Sequence, residues 1–353
     1  MLGMPEIPDS TQTKPPHKIE FAAYPAAGYK PETSFLLGAV GIAVFNQSTN
    51  LDKRFYRPAT ITPYFFYTFR KQFLTYLDME MFPHNKYYFN GTFRYWNYPD
   101  LYFGIGNKTT GANELYIDRF IKYEARLSRI INEKLLLGLA FQWQYNRLSN
   151  INKGGFLDTA RLAGKKGGNV FALGPELRFD NRDNTLYPTR GYYVEAFGLF
   201  NPEWALSNYR FNIYGLDARA FTHLFSIKNI LALQAYYLST QGKEIPFYML
   251  PKLGGDQRLR GIEHENRYTD KQAYYIQAEG RRHLFWRLGG VLFIGLGDVN
   301  QSMKDFSLTS LKFIYGIGGR FQPIRSEKLN IRLDAGKGPG KQYAIYFSLN
   351  EAF

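Results

Sequence analysis

The chain has 353 residues, with 28 Tyr, 30 Phe, 33 Gly and no Cys, and 44 Lys and Arg against 30 Asp and Glu leave a formal charge of +14. Lack of cysteine excludes a disulfide scaffold and a thiolate metal site. No window supplies the roughly 20 consecutive apolar residues that a spanning helix needs, so the length accommodates either two or three domains or one large β architecture.

In chain order, residues 1–18 are polar and carry Pro5, Pro8, Pro15 and Pro16. They read as a flexible periplasmic tail. They lack the basic start and apolar stretch of a secretory signal, so the expectation is that a signal was removed before this numbering begins. From residue 19 onward helical spacing is almost absent and alternation dominates. Strands are predicted at 19–28, 33–46, 57–70, 72–82, 87–97, 115–130, 134–148 and 169–180. The second half continues with 191–201, 209–222, 229–241, 273–284, 287–299, 311–323, 329–336 and 342–353.

The faces of these strands decide the class. Leu135, Leu137, Leu139, Phe141, Trp143 and Tyr145 fall on one side of their strand, opposite Gly138, Ala140, Gln142 and Gln144. Phe313, Tyr315 and Ile317 similarly oppose Gly316, Gly318 and Arg320. Large apolar faces rich in aromatics, backed by small and polar ones, match an outward lipid face around a polar interior. Closure also satisfies every backbone group in the membrane. The reading is all-β: a sixteen-stranded antiparallel transmembrane β-barrel over residues 19–353, with no room for a second domain. A large soluble all-β protein is the competing reading. An even strand count returns both termini to the periplasmic side, and the long connections at 98–114, 149–168, 242–272 and 300–310 then all follow odd-numbered strands. Within Phe211–Ala220 the polar residues change face near Gly215, which predicts a bulge.

The longest connection, 242–272, joins the eleventh and twelfth strands. Connections beyond ~12–15 residues are usually functional or disordered. It contains Leu259-Arg260-Gly261-Ile262, and the next strand carries Gln277, Glu279 and Arg281 inward. An arginine on a loop folded into a barrel needs a buried carboxylate, and bidentate pairing is the natural solution. On the residues alone, a solvated external loop remains the alternative.

These residues resemble the outer-membrane assembly-factor barrels of the BamA and TamA superfamily, the bacterial surface antigen barrels. Leu259-Arg260-Gly261-Ile262 is similar to that family's Val-Arg-Gly-Tyr/Phe motif. Glu20–Phe45 resembles its first hairpin, Gly174–Asp183 with Pro188–Gly191 its internal turn, and Ala273–Arg281 the strand after the motif. Ile331–Asp334 with Tyr346–Phe353 resembles its last hairpin. The resemblance implies a long loop folded inward between strands 11 and 12, with Arg260 on Glu279 and near Phe293. The family's aspartate, two residues further on, falls on Gly295 here; Asp298 and Asp334 are the candidates to replace it. The family's periplasmic (POTRA) docking domains have no counterpart before residue 19.

Strand 1 is rich in alanine and contains Pro25 and Gly28. Proline lacks a donor and belongs on edges or bulges, so the seam between the first and last strands is expected to be the weakest, consistent with the lateral gate attributed to the family. Phe353, closing an alternating aromatic strand, belongs to that seam and resembles a C-terminal targeting signal.

Arg94, Lys122, Arg126, Arg178, Arg320 and Arg332 fall on inward faces with Glu124, Glu176, Asp180, Glu195 and Asp334. A lumen that pairs its own charges is the simplest reading. Surplus cations such as Lys165 and Lys166, in an external loop, suit lipopolysaccharide phosphates. Nucleic-acid binding would demand stacking surfaces that the lipid face already uses. Catalysis has little support. The five histidines lack metal spacing, and His264 between Glu263 and Glu265 reads as solvated charge. Gly336–Lys341 lacks the ending of a phosphate loop. No cofactor, metal or catalytic residue is expected.

The functional expectation is a barrel of the Gram-negative outer membrane that inserts, assembles or translocates protein or lipid. Outer-membrane lipid, lipopolysaccharide and periplasmic or membrane partner proteins replacing the docking domains are its expected partners. A non-catalytic structural or partner-binding subunit of an outer-membrane complex is the alternative, and an enzyme or narrow pore a third.

Overall fold

A computed structural model describes residues 19–30, 34–45, 59–69, 71–109, 113–203, 206–324 and 329–353. The tail expected at 1–18 lies outside the described residues. The first half contains β1 (Ile19–Lys30), β2 (Ser34–Phe45), β3 (Ala59–Thr68), β4 (Phe73–Met81), β5 (Tyr87–Tyr102) and β6 (Glu114–Ile130). Next come β7 (Leu135–Ser149), β8 (Gly168–Asp180), β9 (Gly191–Asn201), β10 (Phe211–Leu224) and β11 (Ser226–Gly242). The chain then forms β12 (Lys252–Leu253), β13 (Tyr268–Thr269), β14 (Gln272–Phe285) and β15 (Leu288–Asn300). It finishes with β16 (Lys312–Ile324), β17 (Leu329–Lys337) and β18 (Tyr343–Leu349).

Sixteen of these strands form one antiparallel sheet in sequence order, a transmembrane β-barrel of the outer-membrane type. β12 and β13 make a separate two-stranded ribbon inside the connection between β11 and β14. Alternation places the side chains. In β7, Leu137, Leu139 and Tyr145 point outward and are exposed, while Ala140, Gln142, Gln144 and Asn146 are buried in the interior. β16 and β18 repeat this, with Phe313, Tyr315, Ile317, Tyr343, Ile345 and Phe347 exposed. Large apolar residues therefore cover the outside, as a lipid-facing surface requires.

The bulge expected near Gly215 is absent. β10 keeps register with β9 from Phe211 to Phe221 and with β11 from Phe211 to His223; the shift comes between His223 and Leu224, at the turn. The polarity changes because the surroundings of the inward face change along the strand. Phe211 and Ile213 pack in an apolar cluster with Phe247 and Tyr248 of the long connection. Further down, Asp217 accepts from Arg219 Nη2 at 2.6 Å.

The last strand is also shorter than its pattern suggests. β18 ends at Leu349. Asn350 adopts φ 64°, a left-handed conformation that asparagine tolerates better than most residues. Its N–H donates to Asn330 O at 2.8 Å, and Glu351, Ala352 and Phe353 turn into the lumen and are buried. Phe353 therefore stands outside the ladder, its ring centroid 6.4 Å from that of Phe221 on β10.

Among the described residues, β1 pairs only with β2 and β18 only with β17. The two edge strands approach within 8 Å at Cα without a ladder between them. Pro25 sits in mid-strand opposite Ala39, and Gly28 lies opposite Leu36.

Charges in the lumen are extensively paired. Arg126 reaches Glu195 at 2.8 Å and Glu176 at 3.2 Å, and Arg178 meets Glu176 at 2.9 Å. Lys122 meets Glu124 at 3.0 Å.

Candidate functional site

The connection between β11 and β14 runs inside the barrel. Its apolar residues Ile245, Phe247, Tyr248, Leu250 and Leu253 are buried against the inner faces of the strands. Leu259 and Ile262 are fully buried beside Phe293, Val291 and Ile314. Burial of an amphipathic loop removes apolar area from water, but it also carries Arg260 into the interior, at 0 % exposure. An unpaired charge there would be costly, so its partners determine whether the loop can stay.

Arg260 has two carboxylates and an aromatic ring. Its Nη1 donates to Asp334 Oδ2 on β17 at 2.5 Å, and its Nη2 donates to Glu279 Oε1 on β14. Its guanidinium lies 3.9 Å over the Phe293 ring on β15. This offers cation–π stabilisation where water is excluded. The structure thus brings Arg260, Glu279 and Phe293 together and adds Asp334. Asp298 goes elsewhere, accepting from Lys312 Nζ at 2.5 Å.

Further charges close around this pair. Glu279 also accepts from Arg281 Nε at 2.7 Å, and Asp334 from Arg320 Nη1 at 2.5 Å and Arg332 Nη1 at 3.0 Å. Arg332 reaches back to the loop, donating to Asp256 O at 2.7 Å and Asp256 Oδ2 at 3.0 Å. Tyr346 on β18 donates to Ile262 O at 2.9 Å. The loop tip is therefore held by β14, β15, β17 and β18 together. Arg320 Nε binds Glu351 at 2.9 Å, and Arg281 Nη2 donates to Phe353 O at 2.8 Å. The inserted tail is tied into the same network.

Backbone contact explains the glycines. Gly261 adopts φ 130°, and a Cβ on it would stand 2.8 Å from Lys337 C and O. A Cβ on Gly336 would stand 2.4 Å from Arg260 O. The loop lies directly on the β17 backbone, and side chains at either position would push it off.

Several members of this network escape a reading of the motif alone. Arg320 and Arg332 were legible as inward-facing. Glu351 was hidden because it follows a strand that ends earlier than alternation suggests. Asp256, in an irregular loop, has no periodicity to reveal its orientation.

The family model described as the Omp85 superfamily domain matches residues 46–322. This chain belongs to the Omp85 superfamily. Solved Omp85-like barrels share its fold. BamA from Haemophilus ducreyi lacking POTRA domains 1–3 superimposes with a TM-score of 0.61 at 13% identity, covering 94% of this chain and 70% of that one. CdiB from Acinetobacter baumannii gives a TM-score of 0.57 at 12% identity over 95% of this chain and 65% of its own. CdiB from Escherichia coli gives 0.61 at 12% identity, over 96% and 67%. The Omp85 barrel described here thus spans two thirds or so of the length of those chains. A comparison with curated proteins finds no match.

Proposed function

We propose that this Omp85 barrel acts without catalysis in the outer membrane of a Gram-negative cell, inserting or translocating protein or lipid. The observation that carries the reading is the pairing of a locked inward loop with an edge-to-edge seam that has no ladder among the described residues. Arg260, held by Glu279 and Asp334, fixes the loop across the interior. Rigid support on that side leaves β1 and β18 as the place where the wall can part. Pro25, with no N–H to donate, keeps β1 a poor partner. A client strand could pair with an exposed edge there by β-augmentation. Outer-membrane lipid and lipopolysaccharide are the surroundings this reading requires. Docking of clients would fall to periplasmic or membrane partner proteins or to segments outside residues 19–353.

Reconstitution tests it. Purified protein in liposomes should speed the folding of a urea-denatured outer-membrane barrel above the rate in protein-free liposomes, and Arg260→Ala should reduce that gain. No gain with wild-type protein, together with stable co-purification of a partner in mild detergent, would favour a structural subunit instead. Steady large conductance in planar bilayers would favour an open pore.

A further inference from the structure

The end of the barrel opposite the long connections holds a second constellation. The β14–β15 turn reads Arg281-Arg282-His283-Leu284-Phe285-Trp286-Arg287. Behind it lies a partly open cavity of about 90 Å³, bordered by β14, β15, β16 and the inserted tail. Arg281, Arg282, Arg287 and Arg320 line it with Gln322, and Glu351 is the one carboxylate among its lining residues.

Two of these arginines are buried yet incompletely bonded. Arg281 uses Nε on Glu279 and Nη2 on Phe353 O, while its Nη1 has no partner among the described residues. Arg320 uses Nε on Glu351 and Nη1 on Asp334, while its Nη2 has none. Buried donors are ordinarily satisfied, and leaving one on a charged group unmet is costly. Glu351 already lies between the two side chains, 2.9 Å from Arg320 Nε and 3.8 Å from Arg281 Nε. It leaves both outer nitrogens unmet. Both nitrogens are closed off from solvent, but four arginines against one carboxylate leave the cavity lining with positive charge in excess, which suits an oxyanion. A phosphate group suits it better than a second carboxylate, because it presents acceptor oxygens in several directions around one centre, and arginine is its preferred partner.

The position of the cavity points to a source. Leu284, Phe285 and Trp286 beside it are exposed, as is Phe225 on the neighbouring β10–β11 turn. Exposed aromatics at the end of a barrel mark the level of the bilayer interface. Lipid phosphates are concentrated at that depth.

We propose that this cavity is a phosphate-binding site, filled by an anionic phospholipid headgroup or by free inorganic phosphate. Delipidated protein in zwitterionic detergent, titrated with inorganic phosphate and followed by phosphorus NMR, should show saturable binding. Gln322→Glu places a carboxylate on the wall with little change of shape, and should weaken that binding on the order of tenfold while heat-modifiability stays unchanged. Should that variant not fold, Arg287→Gln at the rim is expected to lower affinity in the same direction. Loss of phosphate binding in phosphatidylglycerol nanodiscs, with retention in phosphatidylcholine nanodiscs, identifies the lipid as the source. Retention in both identifies free phosphate. Absence of saturable binding in detergent, or equal binding by the folded variant, overturns the proposal. So does binding of a polyglutamate peptide where phosphate fails.

Discussion

Arg260 and Asp334, 74 positions apart in sequence, meet at 2.5 Å in the interior of the barrel, both fully buried. The pair joins the tip of the inward loop to the penultimate strand. The family resemblance places the second carboxylate two residues beyond Phe293, at Gly295. Here a Cβ on Gly295 would stand 2.5 Å from Leu259 Cδ2. The wall that could hold a carboxylate holds a leucine instead, and the charge comes from β17.

Asp334→Ala should therefore be as damaging as Arg260→Ala. Removing one member of a buried pair leaves an uncompensated charge and costs about 3–5 kcal/mol. Arg320 and Arg332 lose an acceptor at the same time. The temperature at which the folded band disappears on gels should drop for each single variant. The double variant should be less damaged than the sum of the two, since the groups are in direct contact. Additive losses would mean that the pair is not coupled.

Gly295→Asp should not rescue Asp334→Ala. The new side chain must displace Leu259, which is fully buried in the apolar cluster. Overpacking of this kind typically costs about 1–3 kcal/mol. Folded yield below that of Asp334→Ala alone is expected. Recovery to wild-type yield would show that β15 can still serve as the acidic wall.

Gly261→Ala and Gly340→Ala separate close approach from backbone preference. Both glycines have positive φ, at 130° and 60°. A Cβ at Gly340 meets nothing within 4 Å, whereas at Gly261 it meets the Lys337 backbone. Gly340→Ala should cost roughly 1–2 kcal/mol, the left-handed penalty alone. Gly261→Ala should abolish heat-modifiable folding. Similar losses for both would argue that the loop does not rest on β17.

Much of this was legible in the residues because a barrel wall is periodic. Alternation located all sixteen strands of the sheet, most ends agreeing within a residue or two, and placed Glu279, Arg320, Arg332 and Asp334 on inward faces. Motif order then pointed to Arg260. What periodicity could not supply was anything set by one residue's backbone or by a neighbour's environment. Asn350 ends β18 through a single left-handed conformation, and nothing in Tyr343–Phe353 announces it. The polarity switch in β10 mimics a bulge because the loop interior packs on Phe211 and Ile213. β5 runs on to Tyr102, beyond the predicted end at 97, through Pro99 and Asp100. A local reading stops at that proline; pairing of Asp100 with Tyr116 on β6 carries the ladder past it.

Phe353→Ala should be far more damaging than Phe347→Ala. Phe347 is 49% exposed on the outer face, whereas Phe353 is 4% exposed in the lumen. The Arg281 guanidinium lies 5.3 Å from the Phe353 ring centroid. Truncating a buried phenylalanine costs about 3–5 kcal/mol, and here it also unpacks a member of the loop network. Urea midpoints in detergent should order as wild type, Phe347→Ala, Phe353→Ala. The reverse order would place Phe353 outside the lumen.

Strand β1 should exchange its amide hydrogens faster than β7. β7 is laddered on both sides, to β6 and β8, whereas β1 is laddered only to β2 among the described residues. Within β1, Pro25 removes one donor from mid-strand. Exchange reports local opening, and segments with few partners open at free energies well below the global value. In lipid the penalty for an unpaired backbone group is several kcal/mol, so an edge that opens must find partners at once in water, in β18 or in another chain. Exchange measured by mass spectrometry in nanodiscs should show β1 peptides labelled within minutes while β7 peptides stay protected for hours. A disulfide bridging β1 and β18 should slow β1 exchange and stop client insertion together. Protection of β1 equal to that of β7 in the unbridged protein would remove the seam as a point of entry.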